Sequence, residues 1–245
     1  MMIHEFARLD STQTKAKELI ESKSAAIGDV VWAHEQLAGR GRGNHQWHAQ
    51  AGSSLTCTFI APSISHGQPP LSLVVGALLA QAFSQLDTNT ESIKIKWPND
   101  LYYQGKKLGG ILIENTQNYS LIGIGINIKY TESLEHLEAT ALDKVYTSPL
   151  INISSILEEV TQALSPILTN FDNLSTIWKP CHTYIESNQL YLNQLVMLNS
   201  GNEQIQGVIK GINEQGALLV ATKNTEQEKG LRTIIQASMI RPVTG

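Results

Sequence analysis

The sequence predicts an α+β fold in which a mixed β-sheet domain with packed helices, residues 1–187, is followed by a small β-barrel domain, residues 188–245. In the first part, β-branched runs alternate with segments whose apolar residues recur every three or four positions, which indicates strands interspersed with helices. In the second part, short β-rich runs follow one another between turn residues. A chain of 245 residues with 42% apolar residues is long enough for one sizeable core and a small appended domain.

The elements of the first part follow from these patterns. Strands are expected at residues 29–36, 54–62 and 119–130, and in a segment, 93–116, that turns at Pro98-Asn99-Asp100 and forms a hairpin with its tip at Gln104-Gly105. Helices are expected at residues 10–22, 71–86 and 152–169, the last with Pro166 bending its end. Because the helix at 71–86 is apolar on nearly all sides, it is predicted to be buried.

The second part is predicted as a barrel of short strands. Four runs between residues 194 and 238 have strand composition, with turns expected at Gly201, at residues 213–216 and at Gly230.

Charge and cysteine content exclude several classes of protein. The net charge of -4 gives no general attraction to a DNA backbone or an anionic membrane. Cys57 and Cys181 are the only cysteines and are far apart, so neither a disulfide framework nor a zinc site is indicated. The apolar runs are too short to span a bilayer. We therefore expect a soluble cytoplasmic protein.

A loop of unusual composition, "AGRGRGNHQW", occupies residues 38–47 and is called the glycine-arginine loop below. Its glycines permit close backbone approach to a ligand, and the arginine side chains offer donors suited to carboxylate or phosphate. The spacing matches neither a P-loop nor a dinucleotide fingerprint. The loop is interpreted as an anion clamp through Arg40 and Arg42, while a solvated surface loop remains the alternative.

A second polar cluster lies in the hairpin "KWPND…KKLGG". Since residues of a strand alternate between faces, only one of the two adjacent lysines, Lys106 and Lys107, can share a face with Asp100. The alternative is that these lysines protect an exposed strand. The glycine pair in the return strand favours a ligand site, because glycine inside a strand often marks close approach of a ligand or another backbone.

Two shorter motifs allow a structural and a functional interpretation. The hydroxyls of "LDST", residues 9–12, either cap a helix or bind a ligand, and the glycines of "GIGIN", residues 123–127, either admit a helix or line a site. No nucleophile elbow and no closely spaced metal ligands occur. An enzyme built on this sequence is therefore expected to work by positioning and charge compensation.

Taken in order, the motifs "LDST", "AGRGRG…W", "KWPNDLY…KKLGGILIE" and "GIGINI" resemble the catalytic domain of biotin protein ligases, and "GVIKGINEQGALLV" resembles their SH3-like C-terminal domain. The resemblance covers nearly the whole chain. It implies a fold like that of class II synthetases and a two-step reaction. Biotin and ATP first give biotinyl-AMP, and the biotinyl group then passes to a lysine of a biotin carboxyl carrier protein.

The resemblance also implies roles for residues of this chain. Lys107, Arg40 and Arg42 would supply catalytic positive charge, and Asp100 would hold Mg²⁺. The binding residues it implies are Ser11, Thr12 and Gln36 at the biotin ring, with Gly39, Trp47, Lys96, Asn99, Asp100, Gly109, Gly110 and Asn127 elsewhere around biotin and the nucleotide.

Two departures from the family pattern lead to further expectations. Gly43, Asn44 and His45 stand where the family usually has Arg, Gly and Arg, which predicts weaker retention of biotinyl-AMP. The ligase motifs begin at residue 9, which predicts a monofunctional form without specific DNA binding. A lipoate or octanoate ligase, a non-catalytic biotin sensor and an RNA-binding module are the alternatives. The resemblance is compatible with a monomer and with a homodimer, since related enzymes include both.

Overall fold

The computed structural model describes residues 1–43, 45–47, 51–64, 67–86, 91–146, 152–169, 174–223 and 229–243. Its elements form an α+β domain followed by a small antiparallel β domain, as predicted. Among the described residues, no helix is long and apolar enough to cross a membrane.

A seven-stranded mixed sheet forms the centre of the first domain. Its strands are β1 Ile3–Phe6, β2 Val30–Ala33, β3 Ser54–Pro62, β4 Lys94–Lys96, β5 Asp100–Tyr103, β6 Lys106–Asn115 and β7 Tyr119–Asn127. They lie in the order β1-β2-β3-β7-β6-β5-β4. The pair β1–β2 is parallel and every other neighbouring pair is antiparallel. The strand at 54–62 and the hairpin with its tip at Gln104-Gly105 are confirmed.

Helices cover both faces of this sheet. They are α1 Thr12–Glu21, α2 Leu71–Leu86, α3 Glu132–His136, α4 Leu142–Val145, α5 Ile153–Thr169 and α6 Leu174–Asn188. The predicted helix α2 is buried along much of its length and packs with α5 and α6 in the main core. A smaller apolar cluster lies under α1, where Ala16 packs with Val31, Ile60 and Leu121. Strand β2 is buried along its whole length because Val30 and Trp32 pack in the main core and Val31 packs in the smaller cluster.

Several features differ from the sequence expectations, among them the unanticipated short helices α3 and α4 and the strand Met239–Pro242. Strand β1 and helix α6 are not anticipated, and the reasons lie in their sequences: β1 has only four residues, two of them polar, and α6 contains Pro180. The turn expected at Gly230 is wrong, because Gly230 lies within the strand Lys229–Ile234 and pairs with Thr222. Helix α5 continues through Pro166 to Thr169.

The second domain is a five-stranded antiparallel sheet. Its strands are β8 Leu195–Ser200, β9 Glu203–Ile212, β10 Leu218–Lys223, β11 Lys229–Ile234 and β12 Met239–Pro242, in the order β11-β10-β9-β8-β12. The expected turns at Gly201 and at residues 213–216 separate these strands.

The turn at residues 213–216 also joins the two domains. The indole Nε1 of Trp97 donates to the carbonyl oxygen of Gly216 over 2.9 Å. The Nε1 of Trp178 donates to the carbonyl of Glu214 over 2.8 Å. Since Trp97 lies between strands β4 and β5, the second domain is attached directly to the predicted hairpin.

Candidate functional site

A row of glycines opens a cleft on the α1 face of the sheet. Gly110 of β6 pairs with Gly125 of β7, and Gly123 lies two residues along the same strand. We call Gly110, Gly123 and Gly125 the glycine floor. A side chain on Gly125 would overlap the indole of Trp47, and one on Gly123 would overlap the amide of Gln13. Glycine at positions 123 and 125 therefore leaves the space that the side chains of Gln13 and Trp47 occupy.

The cleft above this floor encloses about 130 Å³. Helix α1, the glycine-arginine loop and strands β3, β5, β6 and β7 all contribute to its lining. The sheet register explains why distant residues meet here. Asp100 pairs with Gly110, and Gly110 pairs with Gly125, so the three lie in one row across the strands.

The glycine-arginine loop folds back on itself over this cleft. The amide of Gly41 donates to the carbonyl of His45 over 2.8 Å, and the amide of Trp47 donates to the carbonyl of Gly39 over 2.9 Å. A Cβ on Gly39 would overlap the Trp47 carbonyl, so glycine is required for this close return. The fold of the loop places Trp47 on Gly125.

Lys107 is the lysine that faces Asp100. Its Nζ lies 2.8 Å from Asp100 Oδ1, whereas Lys106 is exposed and does not line the cleft. The alternation predicted for the hairpin thus selects one of the two lysines. The Lys107 ammonium also lies 5.9 Å from the centre of the Trp47 ring, within the range of a cation–π contact.

The two arginines of the loop have different partners. Arg42 Nη1 donates to Asn99 Oδ1 over 3.1 Å, and burial lowers the pKa of its guanidinium while nearby Asp100 opposes that shift. Arg40 Nη1 lies 2.9 Å from Glu114 Oε1, and Lys17 lies 3.0 Å from the other oxygen of the same carboxylate. Both arginines line the cleft, as expected for an anion clamp.

Neutral polar groups line the opposite end, at the start of α1. Gln36 Oε1 accepts from the amide of Thr12 over 2.7 Å and from its hydroxyl over 3.1 Å. The hydroxyl of Thr58 donates to Thr12 Oγ1 over 2.9 Å. Ser11 begins the helix, but its side chain makes no capping hydrogen bond. The hydroxyls of "LDST" thus belong to the cleft, since capping does not use them.

The structure brings most of the predicted site residues together. Those that line the cleft are Ser11, Thr12, Gln36, Arg40, Arg42, Trp47, Asn99, Asp100, Lys107 and Gly110. Four others, Gly39, Lys96, Gly109 and Asn127, do not line it.

The surroundings of three of these residues, Gly39, Gly109 and Asn127, account for their positions. The buried Asn127 Nδ2 donates to the carbonyl of Thr140 over 3.0 Å. Gly109 lies against Ile126 and the backbone of Gly125. Gly39 closes the loop on Trp47, as described above. They remain close to the cleft without lining it.

Lys96 lies on the same face as Asp100, next to two tyrosines. Its Nζ is 3.3 Å from the hydroxyl of Tyr102 and 5.9 Å from the centre of the Tyr191 ring. Burial lowers its pKa, the Asp100 carboxylate raises it, and Lys107 lowers it further. Lys96 therefore belongs to the charge network around Asp100.

Sequence reasoning missed several lining residues, which are Gln13, His45, Gln46, Cys57, Ile111, Leu112 and Ile124, whereas the lining glycines Gly41, Gly123 and Gly125 belong to motifs that it singled out. Most contribute backbone or apolar surface, which leaves no distinctive composition in the sequence. Burial raises the pKa of the Cys57 thiol, so this residue stays protonated at neutral pH. A thiol in this state is a poor nucleophile.

Within the described residues, no group of three or more His, Cys, Asp or Glu side chains is placed to hold a metal ion. Among the described residues, Asp100 is the only one with a carboxylate that lines the cleft. A metal held here would need most of its ligands from a bound substrate or from water.

Residues 5–130 match the family described as Biotin/lipoate A/B protein ligase, and residues 191–231 match the biotin protein ligase C-terminal domain. The chain belongs to the biotin protein ligase family. The two matched segments correspond to the sheet domain that carries the cleft and to much of the small β domain.

The similarity to individual members of the biotin protein ligase family also extends over most of this chain. The bifunctional ligase/repressor BirA of Escherichia coli is 30% identical over 238 residues, which cover 86% of this chain and 67% of BirA. The biotin–[acetyl-CoA-carboxylase] ligase of Paracoccus denitrificans is 27% identical, covering 87% of this chain and 92% of that enzyme. The structure of the Aquifex aeolicus biotin protein ligase with biotin and ATP superposes with a TM-score of 0.82 at 28% identity, over 98% of this chain and 99% of that one.

Proposed function

We propose that this protein biotinylates a lysine of a biotin carboxyl carrier protein, using ATP and passing through biotinyl-AMP. The observation that carries the proposal is the convergence of Lys107, Asp100 and Arg42 at one end of a cleft whose other end is lined by neutral polar groups. A biotin molecule has this polarity, with a carboxylate at one end and a neutral ureido ring at the other. Membership of the biotin protein ligase family supports the assignment.

The first step joins two anions. A carboxylate oxygen of biotin attacks the α-phosphorus of ATP and forms an O–P bond with it, while the bond from that phosphorus to the oxygen that bridges to the β-phosphate breaks and pyrophosphate leaves. Lys107 and Arg42 lie where they would offset the charge that builds up on the phosphoryl oxygens. Arg40 would join them by exchanging its contact with Glu114 for the substrate. Since Arg40 is partly exposed, such an exchange would carry a small energetic cost.

Mg²⁺ would supply further charge neutralisation on the leaving pyrophosphate. Asp100 suits such an ion because Mg²⁺ is commonly bound by one or two carboxylates together with substrate phosphates and water. One oxygen of Asp100 is already engaged by Lys107. Asp100 would therefore contribute its other oxygen and at the same time orient the Lys107 ammonium.

The second step transfers the biotinyl group. The amine of the acceptor lysine attacks the carbonyl of the mixed anhydride, an amide bond forms, the amine loses a proton and AMP leaves. Before that attack, water must be excluded because it would hydrolyse the anhydride. Trp47 and the rest of the glycine-arginine loop would cover the reacting atoms, which is supported by the way the loop folds back on itself and rests Trp47 on Gly125.

The wider setting of the reaction is also a proposal. We assign catalysis to residues 1–187 and a supporting role to residues 188–245, with the protein acting in the cytoplasm. Both described cysteines are free and buried, as suits a reducing compartment.

We further expect no specific DNA binding by this acidic chain. A nanomolar, salt-sensitive shift of an operator-like duplex would contradict this expectation.

The test of the proposed function is biotin-dependent exchange of labelled pyrophosphate into ATP in the presence of Mg²⁺. Exchange that requires biotin would support adenylate formation. Exchange with lipoate but not with biotin would reassign the protein to the neighbouring ligases of the family. Folded protein that binds biotin and shows no exchange would be a sensor.

A further inference from the structure

The side chain of Gln13 carries a buried oxygen without a partner. Gln13 is 3% exposed and lines the cleft at the neutral end, next to Ser11 and Thr12. Its Nε2 donates to the carbonyl oxygen of Leu112 over 2.7 Å. Its Oε1 accepts no hydrogen bond from any residue that the structure describes. A buried acceptor left in this state carries an energetic cost, so its retention needs an explanation.

The orientation of this amide is determined by its surroundings. The atom that contacts the Leu112 carbonyl must be the NH₂ group, because two oxygens would repel each other. The amide also lies across Gly123, where any side chain would overlap it. Strands β6 and β7 thus hold the Gln13 amide in place and leave its oxygen as the free group.

The neighbouring acceptors are already engaged. Gln36 Oε1 accepts two hydrogen bonds from Thr12, one from its amide and one from its hydroxyl. The Thr12 hydroxyl in turn accepts from Thr58. Gln36 can therefore offer its NH₂ group to a ligand, and the hydroxyl of Ser11 remains available. Among the side-chain oxygens of Thr12, Gln13 and Gln36, only that of Gln13 accepts no hydrogen bond from a described residue.

A ureido ring needs both kinds of partner. Its carbonyl accepts hydrogen bonds, which Gln36 Nε2 and Ser11 can donate, and its two N–H groups require acceptors. We propose that Gln13 Oε1 accepts a hydrogen bond from one ureido N–H of biotin and that Gln13 is thereby a specificity-determining residue. This inference rests on the proposed function, because it presupposes that biotin binds in this cleft.

The same hydrogen bond discriminates against lipoate. The dithiolane ring of lipoate has no N–H group, so the Gln13 oxygen would stay buried and unpaired in that complex. A site built to hydrogen-bond a polar ligand rejects an analogue that lacks the group, because its own polar atoms are left without partners. Gln13 would thus separate the two ligand classes of this family.

The experiment measures biotin affinity of the full chain by titration calorimetry. Gln13→Leu and the length-matched Gln13→Met remove the acceptor. The control is Gln81→Leu, because Gln81 also donates from Nε2 to a backbone carbonyl, that of Ala77 over 3.1 Å, but lies on helix α2 outside the cleft. We expect about tenfold weaker biotin binding in both Gln13 variants, and a change within about twofold for Gln81→Leu.

A ligand with one ureido N–H replaced by N–CH₃ separates the proposed contact from a structural role. Both mono-N-methyl biotins are titrated against the wild type and the Gln13 variants. For the analogue methylated at the nitrogen that faces Gln13, the wild type loses affinity and Gln13→Leu or Gln13→Met adds little further loss. Equal losses for biotin and both analogues would show that Gln13 acts only through Leu112 and would overturn the proposal.

The failure of this inference is distinguishable from the failure of the proposed function. If the wild type neither binds biotin nor exchanges pyrophosphate, the proposed function is wrong. If the wild type does both and the Gln13 variants bind biotin within about twofold of it, only the role of Gln13 is wrong.

Discussion

Lys106 and Lys107 are neighbours in the chain with different surroundings. Lys107 lies against Asp100 in the cleft, and Lys106 is exposed. We expect Lys107→Ala to lower biotin-dependent pyrophosphate exchange by about 100- to 1,000-fold, as for the loss of one charge-stabilising group in a transition state. Lys106→Ala is the matched control and should leave the exchange rate within about twofold. Equal effects of the two substitutions would contradict the assignment.

The glycine-arginine loop carries the second prediction at this scale. Gly43 and His45 stand where the family pattern has arginines, Asn44 stands where it has glycine, and His45 lines the cleft. Restoring charge with Asn44→Gly/His45→Arg should slow the release of biotinyl-AMP by roughly tenfold, since an additional charged hydrogen bond to a phosphate is worth about 1.5 kcal/mol. The measurement is the release rate of labelled adenylate from the preformed complex. An unchanged release rate of the adenylate would contradict this prediction.

Single residues were predictable where the sequence alone supplied a periodicity. The alternation of strand faces limits the partner of Asp100 to one of two adjacent lysines, and the resemblance to biotin protein ligases points to Lys107 as that lysine. Gln13 could not be found in this way, because its partner Leu112 lies 99 residues away and the pattern around Gln13 is that of an ordinary helix start. Asn127 was expected near a ligand, but its amide is used by the Thr140 carbonyl. From the sequence alone, a single polar residue at the end of a strand does not show whether its side chain contacts a ligand or a structural partner.

At the level of elements, strand β7 depends on its glycines. We expect Gly125→Ala to displace Trp47 from the floor, because the new methyl group would overlap the indole ring. Overpacking of this kind costs about 1–3 kcal/mol where the neighbour cannot move, so biotin affinity or stability should fall. Gly76→Ala in helix α2 is the control, since its methyl group would lie 3.7 Å from Ile111 Cδ1 in ordinary contact.

Tryptophan fluorescence and a melting curve of each variant check this prediction. A change in fluorescence for Gly125→Ala that is absent from Gly76→Ala would support it. An unaltered spectrum together with unaltered biotin affinity would contradict it.

Elements with a strong period were predictable, and those without one were not. Helix α2, strand β3 and the hairpin have the bounds that their composition suggests. Strand β1 forms only because β2 lies beside it in parallel, which no local pattern records. Gly230 reads as a turn residue, yet the strand pairing with β10 includes it. In both cases contacts between distant segments decide the conformation.

At the level of the whole molecule, the contact between domains depends on two indoles. We expect Trp178→Phe to lower the free energy of unfolding by about 1 kcal/mol, because the ring remains and the hydrogen bond to the Glu214 carbonyl is lost. Trp32→Phe is the matched control: Trp32 is equally buried, and its Nε1 has no partner among the described residues. Chemical denaturation of both variants is the measurement. A larger loss for Trp32→Phe would contradict the assignment.

The position of Trp97 links binding to folding. Its indole donates to the turn of the second domain, while Asn99 and Asp100, two and three residues later, line the cleft. A ligand that binds only the folded cleft raises the stability of everything that must unfold with it. Substrate occupancy should therefore protect amide hydrogens of strands β9 and β10 from exchange with solvent, although no described residue of those strands lines the cleft. The small domain would then report, at a distance, whether the enzyme is loaded.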